Sequence, residues 1–292
     1  MKTKKSCLED ESSTKVEDGF EQDEFEPELL TEDREDKKSS SKYVTQVCHL
    51  VQGKQGHAME DYIVAKTMQV DDSELGLYAI FDGHSGRDVA KYLQKHLFDN
   101  ILNEPDFWTD TKGAIKRAYK TTDDEVLDSI VGSRGGSTAV TAILVDRKKL
   151  VVANVGDSRA VICNDGVAKQ ISVDHEPQKE QETIESKGGF VSKKQGNVPR
   201  VDGQLAMARA FGDGRLKEHI TSEPDISVEK IDMDTEFIIL ASDGLWKVMS
   251  NQEAVDCIRD IEDAKEAAEC LVQEALDRGS TDDISCIVVI FQ

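Results

Sequence analysis

Four places in this 292-residue chain set acids at the edge of an apolar, strand-like run: Glu60-Asp61 opening DYIVAKTMQV, Asp82 ending GLYAIF, Asp243 ending EFIILAS, and Asp282-Asp283 opening ISCIVVIF. Carboxylates at strand ends converge on one rim of a sheet, and several together repel one another unless a cation neutralises them. Oxygen donors favour hard divalent ions, so Mg2+ or Mn2+ is the expected partner, whereas zinc asks for His and Cys. Taken singly, an Asp-Gly after a strand is only a tight turn. Four such sites in one chain are poorly explained that way. His84, directly after Asp82-Gly83, adds a titratable group beside the expected cation, where a general acid can serve.

The elements that must position these acids are legible as short Val- and Ile-rich runs: YVTQVCHLV, DYIVAKTMQV, GLYAIFD, TAVTAILVD, KLVVANVG, RAVIC, EFIILASD and ISCIVVIF. Their length and composition predict strands. Helical spacing of apolar residues predicts helices over 87–102, 111–130 and 250–276, the last opened by a capping box of Ser250 and Glu253. Strands follow one another through short turns such as Asn164-Asp165-Gly166, and helices come in separate blocks. That arrangement argues for α+β with antiparallel sheets in one domain, 42–292. The polar stretch 175–205 is a long loop of functional type. Residues 1–41 hold 14 acids among few apolar residues and are read as an acidic, disordered tail.

Composition excludes several classes. The formal charge of −22, from 58 acids against 36 bases, repels phosphate backbones and anionic lipid, so no nucleic acid and no membrane partner is expected. No run approaches the ~18 apolar residues of a membrane span, and the first residues lack the apolar core of a signal peptide. A cytoplasmic or nuclear location follows. The six cysteines form no CxxC pair and read as reduced thiols, with Cys163 and Cys286 acting as small core hydrophobes.

Seven motifs occur in one order: Met59-Glu60-Asp61, Phe81-Asp82-Gly83-His84-Ser85-Gly86, Gly136-Ser137-Thr138-Ala139, Val155-Gly156-Asp157-Ser158-Arg159, Ala208-Arg209-Ala210-Phe211-Gly212-Asp213, Ser242-Asp243-Gly244-Leu245-Trp246 and Thr281-Asp282-Asp283-Ile284-Ser285. Over about 43–291 the chain resembles the metal-dependent serine/threonine protein phosphatases of type 2C, especially their plant members. The resemblance implies a four-layer sandwich, two antiparallel β-sheets flanked by helices, with a flap at about 175–205. It implies that Asp82 bridges two divalent ions, Mg2+ or Mn2+, and that Gly83 offers its carbonyl. Glu60 is then a ligand on the Gly83 side, Asp243 and Asp282 hold the second ion, and Asp61 acts through water. Asp282 is preferred to Asp283, which takes the place of a usual Asn. A water bridging the two ions attacks phosphorus directly, with no phosphoenzyme, and His84 protonates the departing Ser or Thr oxygen.

The chain departs from the family's pattern in three places. Where many members carry a phosphate-gripping Arg there is Gly56, with Lys54 or His57 as candidate substitutes, though a point charge does not replace a bidentate clamp. Lys247 stands where an acid often helps hold a weaker third ion, which leaves Asp157 either a ligand of that ion or a turn residue of VGDSR. The flap has no tryptophan, so inhibition by hormone-bound receptors is not expected. Arg209 and Asp213 read as a structural pairing near the site, and His175 as a hydrogen-bonded loop residue.

Phosphorylated proteins are the expected partners, with protein kinases as a further class and a monomer as the default state. The negative charge favours substrates with basic residues near the phosphosite. Two rivals stay open. One is a two-metal phosphoesterase acting on nucleotides or sugar phosphates, for which 5% aromatic residues offer no base-stacking pocket. The other is a catalytically silent module of the same fold that binds phosphoproteins or kinases.

Overall fold

The computed structural model describes residues 42–129, 135–195 and 197–292. The acidic tail expected over 1–41 lies outside them. In chain order, β1 (Val44–Val51), β2 (Asp61–Val70) and β3 (Ser73–His84) precede helices α1 (Asp88–Leu102) and α2 (Thr111–Ser129). Strands β4 (Gly136–Ser137), β5 (Ala139–Val145), β6 (Lys149–Val155), β7 (Arg159–Asn164) and β8 (Val167–Gln170) follow. The polar stretch then gives α3 (Gln181–Ser186), β9 (Val191–Ser192) and β10 (Arg200–Val201). Last come β11 (Phe211–Gly212), β12 (Asp225–Lys230), β13 (Thr235–Ala241), α4 (Asp243–Trp246), α5 (Asn251–Ile258), α6 (Ala264–Asp277) and β14 (Ile284–Phe291).

These strands form two large antiparallel sheets, one ordered β1-β14-β13-β7-β8 and the other β11-β4-β3-β5-β6-β12 with β2 paired to β3. Alternation along each strand explains the four layers. Leu75, Leu77, Ala79 and Phe81 of β3 pack with α1 and α2, while Tyr78 and Ile80 meet Ile238, Leu240, Ile287 and Val289 of the other sheet. The opposite face of that sheet, with Cys163, Ile239, Cys286 and Val288, is covered by α4, α5 and α6. Being covered on both faces, β14 is buried along its whole length and reads as an unbroken apolar run. The predicted α+β sandwich is the observed fold.

Some details differ. The single helix expected over 250–276 is two: α5 ends at Ile258, and Asp263 starts α6 by accepting from the Lys265 and Glu266 backbone N–H groups at 2.9 Å each. An Asp at a helix N-cap outweighs continuity of the apolar pattern here. The capping box at Ser250 and Glu253 is present as expected. The β7–β8 hairpin turns on Asp165 and Gly166, both left-handed at φ 48° and 72°, as a two-residue turn of the primed type requires. Short strands β8 and β12 were not legible as strand runs, because they are edge strands with half-exposed, polar sequences.

Candidate metal centre

β2 and β3 bring the first acids together. Their register sets Asp61 directly opposite Asp82, two residues inside the end of β3 rather than at it. Gly83 follows because a side chain there meets protein: a Cβ would lie 2.7 Å from the Glu60 carbonyl and 3.2 Å from Ala90 Cβ. Gly83→Ala is therefore expected to displace Glu60 and lower activity by at least about tenfold with the fold retained, as read by phosphopeptide kinetics beside circular dichroism. Asp243 does not end β13. It opens α4, and its neighbour Ser242 accepts from the Ser285 backbone N–H at 3.0 Å.

A cavity of about 410 Å3 is lined by Glu60, Asp82, Gly83, His84, Asp243 and Asp282, with His57 beside them. Thus all the inner ligands that the resemblance implies face one space. Asp61 and Asp157 are not in the lining, but act on it electrostatically. Burial, followed by the charges of Asp61, Asp243, Asp157 and Asp282, pushes the Asp82 carboxyl well above the usual range. Burial raises Asp61 to about 7, against the hydrogen bonds it accepts from Ser285 and Ser242. Asp157 also rises to about 7, through burial and Asp243, with Lys247 opposing. Asp61 Oδ1 and Asp157 Oδ1 are buried without any hydrogen-bond partner. Orphaned carboxylate oxygens and mutually repelling acids are the donor chemistry of a hard divalent cation, so these residues fit one.

The acids do not form a closed shell: among the described residues no acid, His or Cys side chains are gathered as a ready-made metal cluster. Lys247 accounts for part of this. Its ammonium contacts Asp243 at 2.6 Å and Asp282 at 2.8 Å. Burial pulls its pKa down, but the two carboxylates outweigh that and raise it. Sequence reasoning set Lys247 against the third ion and Asp157. The structure instead pairs it with the acids assigned to the second ion, because it lies one helical turn beyond Asp243.

Asp283 has a separate task. It is buried and accepts from the Gly53 N–H at 2.6 Å and the Glu60 N–H at 2.9 Å, tying the segment before Glu60 to β14. Lys54 is exposed and outside the cavity lining. His57 does line the cavity, but its Nδ1 contacts the Ala58 carbonyl and lies 4.0 Å from Asp283. Gly56 has φ 81°, a left-handed conformation in which an arginine would be strained.

His84 Nε2 lies 2.7 Å from Asp213 Oδ2, and its Nδ1 is buried without a hydrogen-bond partner. Ser85 and Asp213 both hold left-handed backbone, φ 56° and 48°, at this pair. Arg209 and Asp213 do not pair with each other. Arg209 binds Glu180 at 2.8 Å and approaches Asp225 at 3.4 Å. The Asp213 role was missed because its partner is distant in sequence; the left-handed Asp after Gly212 was the available hint.

The remaining motifs hold the centre in place. Thr138 Oγ1 accepts from the Asp82 N–H at 3.1 Å and shares a hydrogen bond with Ser158 at 2.8 Å, joining GSTA to VGDSR. Arg159 lies over Trp246, 5.1 Å from the ring centroid, and reaches Asn251 at 2.7 Å. His175 is buried, accepts from the Gly156 N–H at 3.0 Å and donates through Nε2 to Asp225 at 2.8 Å. It is structural, as expected, and burial lowers its pKa.

The protein phosphatase 2C family model matches residues 49–284. The chain belongs to the protein phosphatase 2C family. It is 67% identical to probable protein phosphatase 2C 28 of Arabidopsis thaliana over 244 residues, 83% of this chain and 72% of that protein. It is 63% identical to probable protein phosphatase 2C 58 of the same plant over 251 residues, 86% and 89% of the two chains. Its fold matches a crystal structure of a serine-threonine phosphatase 2C from Toxoplasma gondii with a TM-score of 0.74 at 23% identity, covering 85% of this chain and 94% of that one. As a type 2C phosphatase the chain is a metal-dependent protein phosphatase, and no finding favours the silent binding module.

Proposed function

We propose that this phosphatase hydrolyses phosphoserine and phosphothreonine in proteins with two divalent ions, Mg2+ or Mn2+. Glu60, Asp82 and the Gly83 carbonyl would hold one, with Asp82, Asp243 and Asp282 holding the other. Asp61 and Asp157 act behind them. The observation that carries the reading is the single cavity onto which Glu60, Asp82, Asp243 and Asp282 open beside His84. Bound there, the ions neutralise the phosphoryl charge and acidify the attacking water.

The chain's own residues supply the rest. Asp213 holds the imidazole through Nε2 where it lines the cavity, and His84 in this reading supplies the proton to the departing serine or threonine oxygen. Without that proton the leaving group is a strongly basic alkoxide. His84→Ala is therefore expected to lower phosphothreonine-peptide turnover by about a hundredfold, yet to spare p-nitrophenyl phosphate, whose leaving group needs no proton. Equal losses on both substrates would remove His84 from the acid role. Phosphoproteins and their kinases as partners, a monomeric state and a cytoplasmic or nuclear location belong to the same reading, the last supported by the free thiols of the described cysteines.

A further inference from the structure

A second cavity, about 320 Å3, adjoins the first: both are lined by His84, Ser85 and Met207. Its remaining walls include Leu205 and Leu216, with Arg200 and Arg215 among them. Arg200 donates to the Gln204 carbonyl from one nitrogen. Arg215 is exposed, and its guanidinium makes no hydrogen bond or ion pair among the described residues. Asp213, the acid in this lining, is already bound to His84. Two guanidinium groups against one engaged carboxylate make a positive spot on a chain whose formal charge is −22.

Resting on the phosphatase reading above, we propose that this cavity is a substrate subsite for an anionic side chain near the phosphorylated residue, with Arg215 as the residue that selects it. The chemistry is that of a guanidinium meeting a carboxylate or a phosphate, a charge-assisted pair of bonds worth more than a neutral one. Leu205, Met207 and Leu216 cover the methylene stem of such a side chain. The overall negative charge pointed to basic neighbours in the substrate. Local geometry reverses that preference beside the reacting phosphate, since a nearby unpaired guanidinium acts at closer range than screened charges elsewhere. Arg215 touches neither the acids of the metal centre nor His84, so the reaction itself does not depend on it.

The test measures kcat/KM on phosphothreonine peptides in which one Glu is walked through the positions either side of the phosphoresidue. Parallel series carry Gln, Lys or a second phosphoserine, and p-nitrophenyl phosphate reports chemistry free of flanking residues. Glu at one position is expected to raise kcat/KM about tenfold over Gln, with a second phosphoserine doing the same if the pocket accepts phosphate. Arg215→Ala should erase that preference, and Arg215→Glu should turn it toward Lys, with p-nitrophenyl phosphate turnover and melting temperature unchanged in both. Equal kcat/KM across the series, or a Glu preference that survives Arg215→Glu, overturns the subsite while leaving the phosphatase reading intact. No turnover of any peptide or of p-nitrophenyl phosphate overturns both.

Discussion

Asp82→Asn is expected to abolish phosphate release from a phosphothreonine peptide, by at least about a thousandfold, while raising the thermal stability of the metal-free protein. The two effects have one cause. Asp82 is the acid on which burial and four like charges converge, and its carboxyl is held well above the ordinary range. A group whose folded pKa is raised above its unfolded value weakens the fold as pH rises. For Asp61 and Asp157 the penalty begins above the ordinary aspartate value of 3.8 and is complete once pH passes about 7. Asn keeps the shape and removes one charge from this repelling set. Melting curves in EDTA should thus show the variant above wild type at pH 8, with the gap closing toward pH 4, and Mn2+ should stabilise wild type far more than the variant. A variant equally active, or less stable in EDTA at pH 8, would contradict the electrostatic account of the centre.

Lys247→Ala is expected to tighten Mn2+ binding by about tenfold and to destabilise the metal-free protein. The ammonium contacts both Asp243 and Asp282, so a divalent ion taken up by those acids must displace it or share them. Half of the Lys247 side chain is solvent-exposed, which limits the strength of the two contacts together to about 1–2 kcal/mol and hence the gain to about a factor of ten. Without the ammonium, two buried or half-buried carboxylates lose their neutralising partner, and the metal-free protein should melt earlier. Isothermal titration with Mn2+ in parallel with melting in EDTA separates these effects. Unchanged affinity would mean that Lys247 swings clear at no cost and is no competitor of the cation.

Much of this was open to sequence reasoning because Glu60, Asp82, Asp243 and Asp282 each lie within two residues of a strand terminus, where apolar runs give way abruptly to acids. Glu60, Asp82, Asp243 and Asp282 all face the cavity. What the pattern could not supply was pairing between distant segments. Asp213 finds His84 across 129 positions, and nothing in the spacing announces it. Lys247 was noticed as a departure, yet its partners depended on the geometry of a four-residue helix. The Asp263 cap broke a helix whose apolar repeat looked continuous, since a local hydrogen bond to backbone N–H groups is invisible to periodicity. Lys54 was singled out by charge and position, yet the cavity lining includes its neighbours Gln55 and His57 and not Lys54.

The segment after His175 holds itself together through its own apolar cluster, with Ile184, Val201, Leu205 and Met207 packed against Leu216 and Ile220, beyond the boundary at 205 that the sequence suggested. The sandwich cores lie in other clusters. Two walls of this phosphatase are therefore packed by separate apolar clusters. Substitutions that keep the small cluster filled can redraw the surface around Arg200 and Arg215 without moving a single acid of the metal centre, so new substrate preferences can arise by drift in one segment while the chemistry stays fixed.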